Sequence, residues 1–330
     1  MKGISFAGML AVDKIKTIGS LPLRGELAKI LDLNQSVGGC VCNTGIDFSR
    51  LSKGIPVKVY GVVGDDEDGD YIIKTLNDYN IDTAGVKKRG TTCFTDVIQE
   101  TSCHARTFYS YSGSMSTFSI NDICLDDINT KIFHIGYLLL LDELDKEDKT
   151  YGTKMAQLLF EIQRRGIKTS IDVVSENSDR FNRIVSPSIK YVDYLIINEI
   201  EGGKTVNISP RNDDGLINID NIKKILSKLF EMGVKKYAII HCPEGAFGMS
   251  DSGEFLIEYS KNKPDGYIKG TVGAGDAFCA GSLLGIYDDK SLKDILVYGN
   301  AAAQVSLTSV SATDGVTSIK EAIKEYNRFK

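Results

Sequence analysis

An α/β fold, with a mainly parallel sheet covered by helices on both faces, follows from two features of this sequence. Strand-like apolar runs recur along the chain, and segments with helical apolar spacing lie between most of them. A chain satisfies that alternation by crossing over between parallel strands. Size agrees: 330 residues, 42% hydrophobic and 25% charged, bury a large core and carry no compositional sign of disorder.

The strand-like runs are Ile4 to Leu10, Val57 to Val63, Ile132 to Tyr137, Lys168 to Val173, Tyr194 to Ile197 and Tyr237 to His241. Between them, Met155, Leu158, Leu159 and Ile162 make one helical stripe, and Ile222, Ile225, Leu226 and Leu229 another. The rhythm breaks at Thr92 to Gly113, two extended stretches rich in Thr, Phe and Tyr with Ser102 to Ala105 between them. That pattern predicts an inserted β-hairpin. Joined by residues near 11–18, it would cover a ligand bound at the strand ends, although an ordinary edge ribbon has the same pattern. No linker-like stretch divides the chain, so residues 1–330 are expected to form one domain with a lid of about 11–18 and 92–113 inserted in it.

Composition removes several classes of function. The net charge is −5 and basic residues are dispersed, which offers no stripe for a nucleic-acid backbone. No apolar run approaches the roughly 20 residues that cross a bilayer, so a cytoplasmic location is expected, with no membrane partner. Seven cysteines include Cys40 and Cys42, which lack CxxC spacing. Their scatter, with that of His104, His134 and His241, favours buried thiols and ordinary packing over a metal site.

The most informative segment runs from Gly270 through Thr271, Val272, Gly273, Ala274, Gly275, Asp276 and Ala277 to Phe278. A glycine-rich loop enters a helix whose small residues allow close packing, so backbone amides there point at an anion. Glycines at 273 and 275 remove the Cβ atoms that would hold phosphate oxygens away, and the helix dipole adds favourable potential. Phosphoryl transfer needs positioning, charge stabilisation and a carboxylate to take the attacking hydroxyl's proton. Asp276 is placed for that last task, although a dipole-complementing cap would look the same. The segment is neither a Walker A loop nor a dinucleotide-binding fingerprint, because GxxxxGK[ST] is absent and Ala11-Val12-Asp13 follows the first strand.

These residues resemble the C-terminal signature, close to DTxGAGD, of the PfkB family of carbohydrate kinases with the ribokinase-like fold. Gly38-Gly39-Cys40-Val41-Cys42-Asn43 looks like its GGxxxN motif, the stretch from Leu51 to Gly69 is similar to its GxVGxDxxG region, and Asn198-Glu199-Ile200-Glu201 matches its NxxE motif. The similarities come in the family's order and cover nearly the whole chain. The resemblance implies a Rossmann-like three-layer α/β/α sandwich with a small β-sheet lid. It also implies an ATP-dependent kinase that phosphorylates a hydroxyl of a sugar or sugar-like molecule. Asp276 would be the base and Gly273, Ala274 and Gly275 the anion hole. Asp13, Gly38, Gly39 and Asn43 would bind the acceptor, the last through its side-chain amide.

Asn198 and Glu201 would position phosphate and Mg²⁺, with Glu201 acting through water; Asn followed three residues later by Glu is also a helix capping box. Thr271, Gly245 and Asn300 fall on the nucleotide side. Two departures stand out. Gly270 replaces the family's usual Asp, which removes an oxygen ligand from the monovalent-cation site of some relatives and leaves K⁺ dependence open. Cys242-Pro243-Glu244-Gly245 replaces the usual start of a GxxG nucleotide loop. A nucleoside or pyrimidine-type kinase could use the same loop, with Phe94, Phe108, Tyr109 and Tyr111 stacking on a base. A non-catalytic ligand-binding relative is the other alternative. The hairpin's unpaired edges make a homodimer through the lid the expected assembly.

Overall fold

The structure is a computed structural model and describes residues 2–103 and 105–329; His104 lies outside the described residues. In chain order its elements are β1 (Ile4–Gly8), β2 (Ala11–Ile18), β3 (Ile30–Gly38), α1 (Cys40–Ser52), β4 (Val57–Val63), α2 (Glu67–Asp78), β5 (Ile81–Lys88), β6 (Phe94–Glu100) and β7 (Arg106–Tyr111). Then come β8 (Ile132–Leu138), the two-residue β9 (Glu147–Asp148) and β10 (Gly152–Thr153), α3 (Lys154–Arg164), β11 (Lys168–Val173), the short α4 (Phe181–Ile184) and α5 (Ser186–Ile189), and β12 (Tyr194–Asn198). The chain ends with α6 (Glu199–Val206), α7 (Ile219–Glu231), β13 (Tyr237–Cys242), β14 (Gly245–Ser250), β15 (Phe255–Tyr259), α8 (Ala274–Tyr287), α9 (Leu292–Ser306) and α10 (Ile319–Tyr326).

All six strand-like runs are strands of one nine-stranded sheet, ordered β15-β14-β13-β12-β11-β8-β1-β4-β5. Its pairings are parallel from β13 to β5, and β14 and β15 extend it antiparallel. Both helical stripes are fully buried, Met155, Leu158, Leu159 and Ile162 on α3 and Ile222, Ile225, Leu226 and Leu229 on α7. Thr153 and Asn218 start these helices by accepting backbone N–H groups from Ala156 and Asn221, the usual reason such residues precede a helix. The two faces carry separate layers: Gly202 of α6 packs on Ile197 and Ile240, whereas α9 presses Leu292 and Leu296 onto Gly248, the partner of Ile239. Neighbouring residues of a strand point to opposite faces, so α6 and α9 lie on opposite sides.

The small sheet is four-stranded, ordered β3-β2-β6-β7. Two of its parts follow the sequence pattern, the segment 11–18 and the hairpin of β6 and β7 within 92–113. The third, β3, was not visible as a strand. Most of its residues are exposed, so neither face imposes a period of two, and only antiparallel pairing with β2 makes it a strand.

Candidate active site

Two cavities meet at the carboxyl ends of β11, β12 and β13, the edge at which parallel sheets leave room for ligands. The larger, about 420 Å³, is bounded by Asn198, Cys242, Pro243, Thr271, Asn300 and Ala303 among others. The smaller, about 210 Å³, is lined by Tyr137, Asp172, Ser175, Glu201, Gly273 and Asp276 with their neighbours. Asn198, His241 and Gly275 line both, so these three residues mark the junction.

The start of α8 forms the floor of that junction. Gly273 caps the helix at φ +78°, a left-handed conformation, and a Cβ on it would stand 2.6 Å from the Cβ of Ala312. Ala277 donates its N–H to the Gly273 carbonyl at 2.8 Å, and Ala274 donates to Thr271 at 3.3 Å. The amides left open in this first turn are therefore those of Gly275 and Asp276, a narrower cradle than residues 273–275.

Asp276 accepts three side-chain hydrogen bonds: from Asn43 Nδ2 at 3.0 Å, Thr44 Oγ1 at 3.3 Å and Tyr137 OH at 2.7 Å. A carboxylate offers about four acceptor positions, so about one remains for a ligand hydroxyl. Burial raises its pKa above the ordinary value, the three donors pull it down, and burial wins. Asn43 was expected to face the acceptor. Here its amide holds Asp276 instead, because α1 packs directly against α8.

The other expected acceptor residues border neither cavity. Asp13, on β2, lies against Gly38, where a Cβ would be 2.7 Å from its Oδ2. Burial, then the charge of Asp276, push its carboxyl up to about 6. Gly39 caps α1 at φ +83°, with its α-carbon side pressed on the Met9 carbonyl. Because the folded pKa of Asp13 exceeds the ordinary 3.8, the carboxylate is protonated as pH falls through about 6 and its capacity to accept hydroxyl hydrogen bonds drops. With Asp13 as the acceptor's partner, the role proposed below, kcat/KM for the acceptor at saturating Mg²⁺ should fall on the acid side with an apparent pKa of about 6. Asp13→Asn should shift that limb, leaving the part set by protonation of Asp276, and cost about 10- to 100-fold in kcat/KM; a limb unchanged in the variant assigns it elsewhere.

Asn198 and Glu201 form a reciprocal capping box on α6: Asn198 Oδ1 accepts the Glu201 N–H, and Glu201 Oε2 accepts the Asn198 N–H, each at 2.9 Å. Glu201 Oε1 also accepts from Ser175 Oγ at 2.7 Å. Burial nevertheless pushes its carboxyl up to about 7. Beside it the buried Asp172 is pushed up by burial, then by the charges of Glu201 and Asp276. No cluster of three or more His, Cys, Asp or Glu side chains among the described residues makes a closed metal cage. Two neighbouring carboxylates of like charge, each raised by burial, would be relieved by a divalent cation, and their oxygens are of the kind Mg²⁺ accepts.

Thr271 and Asn300, expected on the nucleotide side, line the larger cavity. The Asn300 amide is spent on the Glu258 carbonyl at 2.8 Å, which ties α9 to β15. Gly245 is outside both cavities: it pairs with Cys242 at the β13–β14 turn, and a Cβ there would meet the Glu258 carbonyl at 2.5 Å. Cys242 and Pro243 line the cavity in its place. A Cβ on Gly270 would stand 2.6 Å from the Ser309 carbonyl, so a carboxylate has no room there without a shift of that loop.

Tyr137, Thr44, Asp172, Ser175 and His241 were missed in the sequence. His241 carries a signal that could have found it, a polar residue near the carboxyl end of an otherwise apolar strand; Asp172 carries a weaker one, because Lys168, Thr169 and Ser170 already make β11 polar before it. His241 packs on Phe278 with ring centroids 4.8 Å apart, and burial pushes its pKa down to about 4, so it is neutral at pH 7. Tyr137 and Thr44 carry none, since each matters only through contact with Asp276.

Comparison with known proteins shows the family and the fold. A 5-dehydro-2-deoxygluconokinase of Listeria monocytogenes is 23% identical over 315 residues, covering 89% of this chain and 88% of that protein. The probable fructokinase-7 of Arabidopsis thaliana is 24% identical over 331 residues, covering 94% and 89%. The solved ribokinase of Arabidopsis thaliana, complexed with ribose and ATP, superposes with a TM-score of 0.80 at 18% identity, covering 100% of this chain and 99% of that one. No helix among the described residues is long and apolar enough to cross a membrane. The model of the pfkB family carbohydrate kinases matches residues 7–319, and the chain therefore belongs to that family, phosphotransferases with an alcohol group as acceptor.

Proposed function

We propose that this kinase moves the γ-phosphoryl group of ATP in line onto a hydroxyl of a sugar-like acceptor, with Asp276 as the base. The observation that carries this reading is the junction of the two cavities. The open amides of Gly275 and Asp276 lie where a nucleotide in the larger cavity would present its phosphates, and the Asp276 carboxylate opens into the smaller one. Asn43, Thr44 and Tyr137 hold that carboxylate ready for the hydroxyl proton, and the two amides stabilise charge that develops on the phosphoryl group. Neutral His241 adds a donor at the same junction. Asp13 accepts hydrogen bonds from the acceptor's other hydroxyls, with Gly38 and Gly39 giving it close approach, and the small sheet acts as the lid. Acceptor-dependent ADP release from ATP, screened over sugars and nucleosides, tests the reading; no release with any of them would remove it.

Mg²⁺, held by Glu201 through water with Asp172 beside it, would neutralise phosphate charge. Glu201→Gln should raise the free Mg²⁺ needed for half-maximal rate by about 10- to 100-fold. A Mg²⁺ titration of the initial rate checks this, and an unchanged midpoint leaves Glu201 as a cap only. Gly270 supplies no side-chain oxygen to a monovalent cation, so no K⁺ stimulation is expected. Use of ATP fits a cytoplasmic enzyme.

Three of the four lid aromatics that could stack on a base point away from Asp13, which weighs against the nucleoside alternative, whereas Phe108 shares the face of Asp13. Phe94 and Tyr111 pack on each other with ring centroids 5.4 Å apart and planes tilted by 44°, and the strand register puts both, with Tyr109, on the face opposite Asp13. That outer face leaves Leu33, Tyr109 and Tyr111 at 69%, 60% and 49% exposure, an apolar surface suited to a second copy of the lid. Light scattering should give twice the 36.1 kDa chain mass, and Leu33→Asp with Tyr109→Asp should give the monomer.

A further inference from the structure

The inner face of the small sheet narrows the class of acceptor, an inference that rests on the kinase reading above. Strand register sets Ser36, Asp13, Thr95 and Ser110 side by side across β3, β2, β6 and β7. Residues paired directly across neighbouring strands point to the same face, so one carboxylate and three hydroxyls form a single row. This row lies at the active-site end of the sheet, because Asp13 packs on Gly38 and senses the charge of Asp276.

The next row on that face, Asn34, Ile15, Val97 and Phe108, carries no charge. Among the described residues the first cation on the face is Arg106, paired with Gln99 in the third row. It lies four residues along β7 from Ser110, about 14 Å at ~3.4 Å per residue. Lys14 and Lys16 point to the opposite face and are paired with Asp68 and Asp96. The smaller cavity adds Asp172, Glu201 and Asp276 to its lining, and no Lys or Arg.

A carboxylate on the acceptor would thus meet carboxylates with no cation to receive it, whereas hydroxyl groups meet acceptors and hydroxyls in a row. We propose that the acceptor is an uncharged polyol, a neutral sugar or sugar alcohol, recognised by the row Ser36, Asp13, Thr95 and Ser110, and that sugar acids are rejected. This departs from what the gluconokinase names among its relatives suggest.

The test is ADP release at pH 7.5, with saturating ATP and Mg²⁺, for matched pairs: glucose and gluconate, fructose and 5-ketogluconate, ribose and ribonate. The expected result is turnover of at least one neutral member, with kcat/KM about 100-fold or more above that of its acid. An acid used as well as or better than its neutral partner overturns the inference and leaves the kinase reading standing. Release with neither kind overturns the inference, and the wider screen over sugars and nucleosides then decides the kinase reading. Ser110 is exposed on an edge strand, so Ser110→Lys can bring a cation to the row without disturbing the core. It should lower the neutral-to-acid ratio by about tenfold or more. A ratio unmoved by that charge, in a variant that retains neutral-sugar turnover, would show that the row does not face the acceptor and overturn the assignment.

Discussion

Asp276→Asn is expected to lower kcat by about 10²- to 10⁴-fold, the range for loss of a positioned general base, while the KM for ATP stays within about threefold. Asn preserves the volume of the side chain and removes the charge that accepts the proton. The folded pKa of Asp276 is raised above the ordinary carboxylate value, so its contribution to stability is fully present only at low pH and is lost as pH rises through the folded pKa. The amide NH2 of Asn would face at least one of the three donors that now bond the carboxylate, so the stability of the variant is measured beside its rate. Steady-state kinetics with thermal unfolding of both proteins decides the matter. A kcat within tenfold of the parent would remove Asp276 as the base.

Gly273→Ala is the second large effect. The residue sits at φ +78°, which costs an alanine about 1–2 kcal/mol. The added Cβ would also stand 2.6 Å from both the Cβ and the carbonyl oxygen of Ala312, so either that loop or the start of α8 must move. Moving the start of α8 moves the amides of Gly275 and Asp276. Loss of one positioned donor to a developing anion costs about 10²- to 10³-fold in kcat, and a loss of that size is the expected result. Gly270→Ala is the control, since its Cβ would clash with the Ser309 carbonyl at the same 2.6 Å but lies outside the cradle. Equal losses in the two variants would reduce Gly273 to a packing glycine.

Much of the fold was legible because its signals are local. The buried strands from Ile4 to His241 and the stripes of α3 and α7 are apolar at the period their neighbours require, and a reader of the sequence sees that period directly. The hairpin of β6 and β7 showed itself through its residue types. Strand β3 did not: Ile30, Leu31 and Leu33 are exposed at 43%, 58% and 69%, so burial gave their pattern no phase. The site was legible in part for a similar reason. A glycine-rich loop at a helix start has a backbone logic of its own, and the Asn198–Glu201 cap is a local motif whose reciprocal bonds the structure contains. Gly245 misled because a glycine after a strand serves a ligand or a tight strand turn equally well, and here it serves the turn.

The sequence by itself determined the order of strands and helices, the glycine-rich start of α8 and the presence of a carboxylate at position 276, because each depends on residues within a few places of one another. Only the tertiary structure decided what surrounds that carboxylate. Its three donors come from residues 233, 232 and 139 positions away, and the two charges that raise Asp172 lie on other elements. Hydrogen bonds and Coulomb forces act over a few ångströms of space irrespective of distance along the chain, so residues such as Asn43 and Tyr137 acquire their part only when α1, β8 and α8 are packed together.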